Sequence, residues 1–300
     1  MTTPKSVAAI LALAALAAAP GPARAAGLTF QLDITIDDKE EPLRAPEGVA
    51  CSDKGVLVVA DTGNGRLLTY TYRDGRIGGG TPVKIAEATY PVRVQIDSRG
   101  DVLVLDRRTR RIVRVDAAGK FAGTVELRAD SGPPSVVPLA FKLDAADNLY
   151  VLDVAARRVV VAGPDGRVNR ILPLPKDGEE FTDVAVDLAG RILALDSVGA
   201  RLWAADKAAT TFKAIGESLK DRVSFPIYVT EAQGVLYLAD QNGHGLVVLG
   251  ADGTFLRREL DMGWIKGKVY YPAQLCVSGE GLVFVADRAN NRVQAFSGSR

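Results

Sequence analysis

Hydrophobic and polar residues alternate along this chain in short runs that come in sets of four. Pro91–Asp97 alternates and predicts a strand, and Ser98-Arg99-Gly100 predicts a tight turn. Asp101–Leu105 predicts a second strand that closes at Asp106, Arg111–Val115 a third, and Phe121–Leu127 a fourth, entered through Ala117-Ala118-Gly119. Alternation at period two sends successive side chains to opposite faces, and short Gly turns join such runs into an antiparallel sheet. The set recurs six times, each copy anchored by an aspartate at the end of its second run. These are Asp61, Asp106, Asp153, Asp196, Asp240 and Asp287, spaced by 45, 47, 43, 44 and 47 residues. A period near 45 with four strand-like runs per unit predicts an all-β, six-bladed β-propeller of four-stranded antiparallel blades.

Other positions repeat with the aspartate. Gly stands six residues before it at Gly55, Gly100, Gly190, Gly234 and Gly281, and unit three has Asp147-Asn148, which also tolerate turn geometry. Arg stands five after it at Arg66, Arg111, Arg158, Arg201 and Arg292, whereas unit five has Gly245. Pro opens the first run at Pro46, Pro91, Pro138, Pro226 and Pro272, where its missing N–H costs little, and unit four has Thr182 near that place. One reading of the repeated Asp and Arg is a ring of catalytic carboxylates. The other is that each Asp caps the turn after the second strand and pairs with the Arg that opens the third. Six copies at one position favour the turn, because a catalytic group is needed once or twice and a turn in every blade.

The last unit ends early. Only Ser297–Arg300 follows its third strand, so it lacks a fourth. Leu28–Ile36 alternates before the first unit begins and predicts the missing strand, pairing with Arg292–Phe296. An open blade would leave an unpaired edge.

Pro46-Glu47-Gly48-Val49-Ala50 with Val58–Thr62, and Leu282–Val293, resemble repeats of the NHL family. The resemblance covers about residues 46–296. It implies a six-bladed propeller and a tendency to bind partners, and it says little about which.

Composition bounds the function. Lys5, the apolar run Val7–Ala19 and Ala23-Arg24-Ala25 read as a secretory signal peptide over 1–25, leaving a single propeller domain at 27–300. The apolar run is shorter than the ~20 residues of a membrane helix, so no membrane span is expected. The protein is expected to be soluble, exported to periplasm or medium, and a monomer. The chain has 37 basic and 36 acidic residues; removing Lys5 and Arg24 leaves 35 against 36, which argues against nucleic acid. No CxxC or Cys/His spacing suggests a metal, and no cofactor is expected.

Cys51 and Cys276 lie at opposite ends of the array, in opposite phases of their strands. They are either two small buried residues or a disulfide across the seam between blades six and one, which an oxidising compartment favours.

Candidate chemistry lies where the units differ. The second and fourth residues after each opening Pro face the central channel, which singles out Arg93, Lys142, Asp183, Tyr228 and Gln274. They suit either a pocket for a small polar or anionic ligand or hydrogen bonding between blades. Arg107, Arg108, Arg110 and Arg157 form a basic patch on neighbouring blades, open to an acidic partner or simply solvated. The insert Asp261–Tyr271, with Met262, Trp264, Tyr270 and Tyr271, is the most aromatic loop and suits protein contact or packing over a strand edge. His244 is the single histidine. A histidine-held zinc site of the propeller-lyase kind cannot be built from it, and Asp183 has no Glu and Asn beside it for a lactonase-type metal cage. The expectation is therefore a non-enzymatic scaffold that binds a protein partner through rim loops and channel mouth. The alternative is a propeller enzyme, a lyase or lactonase-like hydrolase, working at the channel mouth.

Overall fold

The structure, a computed structural model, describes residues 27–129 and 135–298; the leader predicted at 1–25 and most of the loop at Ser131–Ser135 lie outside them. Among the described residues the chain forms six four-stranded antiparallel sheets. Each sheet opens with an inner strand: β2 (Gly48–Cys51), β6 (Pro91–Ile96), β10 (Pro138–Leu143), β14 (Phe181–Val186), β18 (Pro226–Ala232) and β22 (Pro272–Val277). The second strands, β3 (Val56–Asp61), β7 (Val102–Asp106), β11 (Leu149–Asp153), β15 (Ile192–Asp196), β19 (Val235–Asp240) and β23 (Leu282–Asp287), all close on the anchoring aspartate. The third strands begin at Arg66, Arg111, Arg158, Arg201, Gly245 and Arg292. The inner strands pack side by side in sequence, and β22 packs back onto β2, so the six sheets close a ring.

The ring closes as the alternation predicts. β1 (Thr29–Ile34) pairs antiparallel with β24 (Arg292–Ser297), with Phe30 opposite Phe296 and Ile34 opposite Val293. It becomes the outer strand of blade six and covers the edge that would otherwise stay unpaired. At the same seam the Cys51 and Cys276 sulfurs are bonded, with Cα atoms 5.9 Å apart.

Because side chains alternate, each sheet buries both faces against its neighbours. The result is six apolar clusters, one per gap between blades. Two details differ from the sequence reading. Phe181, not Thr182, takes the Pro position in blade four and pairs with Asp196 as Pro91 does with Asp106. The fourth strand of blade two is shorter than Phe121–Leu127 and spans Phe121–Thr124.

Antiparallel order sets the two faces of the disc. The starts of the inner strands, the turns after the aspartates and the loops between blades share one face, called upper here. The Gly turns between first and second strands lie on the lower face.

Candidate functional site

The upper face hangs on the six aspartates, each almost wholly buried. Asp61 accepts the Arg44 N–H at 2.7 Å, Asp106 that of Tyr90 at 2.6 Å, Asp196 those of Glu179 and Glu180, and Asp287 that of Tyr270 at 2.7 Å. The same carboxylates accept N–H groups of their own turns, Thr109 for Asp106 and Gly199 for Asp196. Each Asp thus pins the loop entering its blade to the turn leaving the second strand. This is a structural use of a buried carboxylate, whose charge is met by several short hydrogen bonds.

The expected Asp–Arg pair holds in three blades: Arg66 to Asp61, Arg158 to Asp153 and Arg292 to Asp287, at 2.7–2.8 Å. It does not hold for Arg111 or Arg201, which make no salt bridge among the described residues. There the turn N–H groups already serve the carboxylate. In blade five Arg258, reaching from the outer strand β21 (Phe255–Glu259), bonds Asp240 at 2.9 Å in place of the missing Arg.

The residue four after each Asp ends the turn in the left-handed region: Gly65, Arg110, Arg157, Ala200, His244 and Asn291, with φ from 47° to 62°. Gly or Asn suits that conformation. Three residues singled out from sequence, Arg110, Arg157 and His244, therefore occupy a position that every blade needs for its backbone.

The five channel residues converge. Most inner strands carry a register irregularity just after their first residue, which re-aims the next side chains toward the axis. Arg93 of blade two reaches across the channel and donates to the Ile227 carbonyl of blade five at 3.1 Å. Gln274 of blade six bonds both backbone groups of Val94 in blade two, at 3.2 and 2.7 Å. It passes over blade one at Gly48, where a Cβ would stand 3.3 Å from its Oε1. Lys142 donates to the Tyr228 hydroxyl, and Asp183 accepts the Val229 N–H at 2.8 Å. All five are buried, and they link blades two to six across the axis. Burial pushes the Asp183 carboxyl up, against the pull of Lys142 and Arg93. Its Oδ1 and the Arg93 Nε make no hydrogen bond among the described residues.

Above this plug sits a charged mouth. The residue following each Asp lies there. Thr62 donates its hydroxyl to the Pro91 carbonyl at 2.7 Å, and Ser197 donates to that of Pro226, tying each blade to the next. In blades two and six the same position carries Arg107 and Arg288. Both turn to Glu47, whose side chain is only 4% exposed: Arg107 binds it through both terminal nitrogens at 3.1 and 2.6 Å, and Arg288 lies 3.4 Å away. Tyr90 lies under two guanidinium groups, 5.6 Å from Arg107 and 5.1 Å from Arg108. Arg108 and Arg110 make no salt bridge among the described residues and are exposed. Arg157 does not join this patch; it donates to the carbonyls of Pro175 and Gly178 in its own inter-blade loop.

Beside the mouth lies the loop from Asp261 to Tyr271. Its backbone is held from blade six. Arg292 donates to the carbonyls of Ile265 and Lys268, Gln294 to that of Lys268, and Asn290 to that of Gly263, at 2.7–2.9 Å. Gln294 Oε1 accepts the Gly267 N–H at 2.9 Å. On this fixed backbone Met262, Trp264 and Ile265 stand 52%, 69% and 67% exposed. His244 is packed between Tyr270 and Tyr271, ring centroids 4.9 and 4.6 Å away, and its Nδ1 accepts the Tyr271 N–H at 3.3 Å.

Arg288 is one of the basic residues that the sequence places on this rim, whereas Glu47 and Tyr90 are not singled out there. Glu47 carried a signal: the residue after the opening position is Val92, Leu139, Thr182, Ile227 and Ala273 elsewhere, so it is the one charge in that column. Among the described residues no three His, Cys, Asp or Glu side chains converge as a metal site, and no helix is long and apolar enough to cross a membrane.

The sequence profile of the NHL repeat matches residues 269–296. The match falls in blade six of a ring of six blades built on one repeated pattern, so the chain carries an NHL repeat within a six-bladed propeller. No curated protein matches it. Solved structures of similar fold include a catalytically inactive virginiamycin B lyase from Staphylococcus aureus with quinupristin. That structure has 13% identity, a TM-score of 0.64, and coverage of 89% of this chain and 98% of that one. A gluconolactonase from Xanthomonas campestris is similar at 13% identity and TM-score 0.65, covering 92% and 99%. A nidogen/laminin complex is similar at 16% identity and TM-score 0.60, covering 78% and 91%. At such identities the likeness is one of fold.

Proposed function

We propose that this propeller is an exported binding module that holds a protein partner on its upper face. The observation that carries this reading is the loop from Asp261 to Tyr271: a backbone pinned by Asn290, Arg292 and Gln294 that presents Met262, Trp264 and Ile265 to solvent. Exposed aromatic and aliphatic anchors on a fixed backbone bind without a large ordering cost. Arg108 and Arg110, on the same face, would steer a partner that surrounds its apolar contact with acidic groups. Export is supported by the leader pattern at 1–25 and by the Cys51–Cys276 disulfide.

Affinity capture from cell-envelope extract tests this, with the mature chain, Trp264→Ala/Ile265→Ala, and Arg108→Glu/Arg110→Glu as baits. The expected result is one stoichiometric protein whose recovery falls about tenfold or more with the apolar pair and less with the charge pair. Undiminished recovery by the apolar variant would sink the reading.

A second reading, a propeller enzyme of lyase or lactonase-like kind, is favoured by the fold likeness to virginiamycin B lyase and gluconolactonase. Here Glu47 between Arg107 and Arg288 at the mouth is the group such chemistry would use. Hydrolysis of a lactone panel abolished by Glu47→Gln would establish it.

A further inference from the structure

On the lower face, away from everything described above, a cavity of about 550 Å³ opens between blades one and two. Its cause lies in the sequence. The buried cluster filling this gap has six valines, three alanines, one leucine and one isoleucine, with no aromatic ring. Other gaps are filled by Tyr70, Tyr72 and Phe284, by Tyr150, Phe181 and Phe212, or by Tyr228, Tyr237 and Phe296. The gap between blades four and five, which also has no buried aromatic, holds seven leucines. Small side chains on both walls leave the wedge between the two sheets unfilled.

The walls are apolar: Val56, Val58 and Leu67 come from blade one, and Ile96, Val102 and Val115 from blade two. The rim is acidic. Asp53, Asp97, Asp116, Asp144 and Asp147 line it against Lys54 and Arg99. Of the five carboxylates, Asp97 alone is neutralised, by Arg114 and Arg99. Asp116, Asp144 and Asp147 use oxygens on neighbouring N–H or hydroxyl groups but meet no cation in a salt bridge among the described residues. Asp53 is exposed on the turn between β2 and β3, and its side chain makes no hydrogen bond among the described residues.

We propose that this cleft is a binding site for a small amphiphilic cation, an apolar body carrying an amine or quaternary ammonium. The size falls in the range of small-molecule sites, apolar walls take the body, and the surplus negative charge of carboxylates that meet no salt-bridge partner among the described residues takes the positive head. Its position makes it independent of the upper face, so the inference stands whether or not a protein binds there.

Titration calorimetry of the full mature chain with octylammonium and with octanoate tests the site, since the two join alkyl tails of similar length to heads of opposite charge. Octylammonium is expected to bind with one-to-one stoichiometry and about tenfold or more tighter than octanoate. Val56→Phe, which fills the mouth from a half-buried position, is expected to weaken it about tenfold. Asp53→Lys, at an exposed position that cannot endanger the fold, is expected to weaken octylammonium several-fold and to improve octanoate. Equal binding of the two amphiphiles would overturn the cation assignment. Octylammonium binding unchanged in Val56→Phe, with its melting transition intact, would place the ligand elsewhere and overturn the site. Sedimentation showing that the free chain dimerises and that Val56→Phe abolishes the dimer would assign the cleft to a second copy instead.

Discussion

Residues at one structural position in all six blades show which side chains the fold itself demands. Arg110 is such a case. It sits at φ 53°, where blade one has Gly65 and blade six Asn291, and its guanidinium has no salt bridge among the described residues. Left-handed backbone costs an L-residue on the order of 1 kcal/mol, and the greater freedom of Gly in the unfolded chain offsets part of the relief. Arg110→Gly is therefore expected to raise the unfolding free energy by about 0.5 kcal/mol, read from urea unfolding. Arg157→Gly should not, because Arg157 holds the carbonyls of Pro175 and Gly178. A net loss in Arg110→Gly would show that its side chain contributes a contact. Asp183 sets a pH signature at the same scale. Burial raises its carboxyl above the value of 3.8 that it has when unfolded. The folded state therefore holds that proton more tightly. The stability this gives is complete below the unfolded value and is lost as pH rises through the folded one. Asp183→Asn keeps an acceptor for the Val229 N–H and cannot ionise. As pH rises from the unfolded value of 3.8 through the raised folded one, its unfolding free energy should decline less than that of the parent. Identical pH profiles would mean that Lys142 and Arg93 hold Asp183 ionised throughout.

The strands show what alternation makes legible and what it does not. The six units, their four strands and the closing role of β1 follow from period-two runs and from a last unit one strand short. Position-specific contacts between distant segments did not follow. Arg258 replaces the missing Arg of blade five from 18 residues beyond Asp240, on another strand. Gln274 reaches Val94 only because Gly48 leaves room, a condition set by three blades at once. The channel side chains were legible because the inner strands share one phase, yet their phase alone left open whether they form a pocket or links between blades. The seam is held twice, by the β1–β24 pairing and by Cys51–Cys276 with a sequence separation of 225. A cross-link over so long a loop restricts the unfolded chain strongly and is worth about 2–5 kcal/mol. Reduction should lower the unfolding free energy by that amount, read from denaturant unfolding as a lower midpoint, without changing the native circular dichroism, because β1 still closes blade six. Loss of native structure on reduction alone would mean that the strand cannot close the ring unaided.

At the scale of the whole molecule, the two faces are separated by the length of an inner strand. Six residues at about 3.3 Å each place the upper loops and the lower cleft roughly 20 Å apart. What lies between is the part of the protein least able to adopt a second arrangement. The channel is crossed by Arg93, Lys142 and Gln274, and each inner strand packs on two others. Coupling between sites requires an element with two states that both ligands bias. Among the described residues nothing of that kind joins Trp264 and Ile265, in the loop between blades five and six, to Val58 and Val102, in the gap between blades one and two. The upper and lower faces should therefore act independently. Trp264→Ala/Ile265→Ala is expected to leave octylammonium affinity within about twofold of the parent, and saturating octylammonium to leave partner capture unchanged. The comparison is informative in one direction especially. If the upper-face variant changed octylammonium binding about tenfold, the inner strands would have to shift as a group, and the hydrogen bonds of Gln274 to Val94 are the first that such a shift would break. Gln274→Ala, which removes them and leaves two buried backbone groups unpaired at a cost of about 2 kcal/mol, would then alter both sites together; in a rigid ring it lowers stability and alters neither affinity.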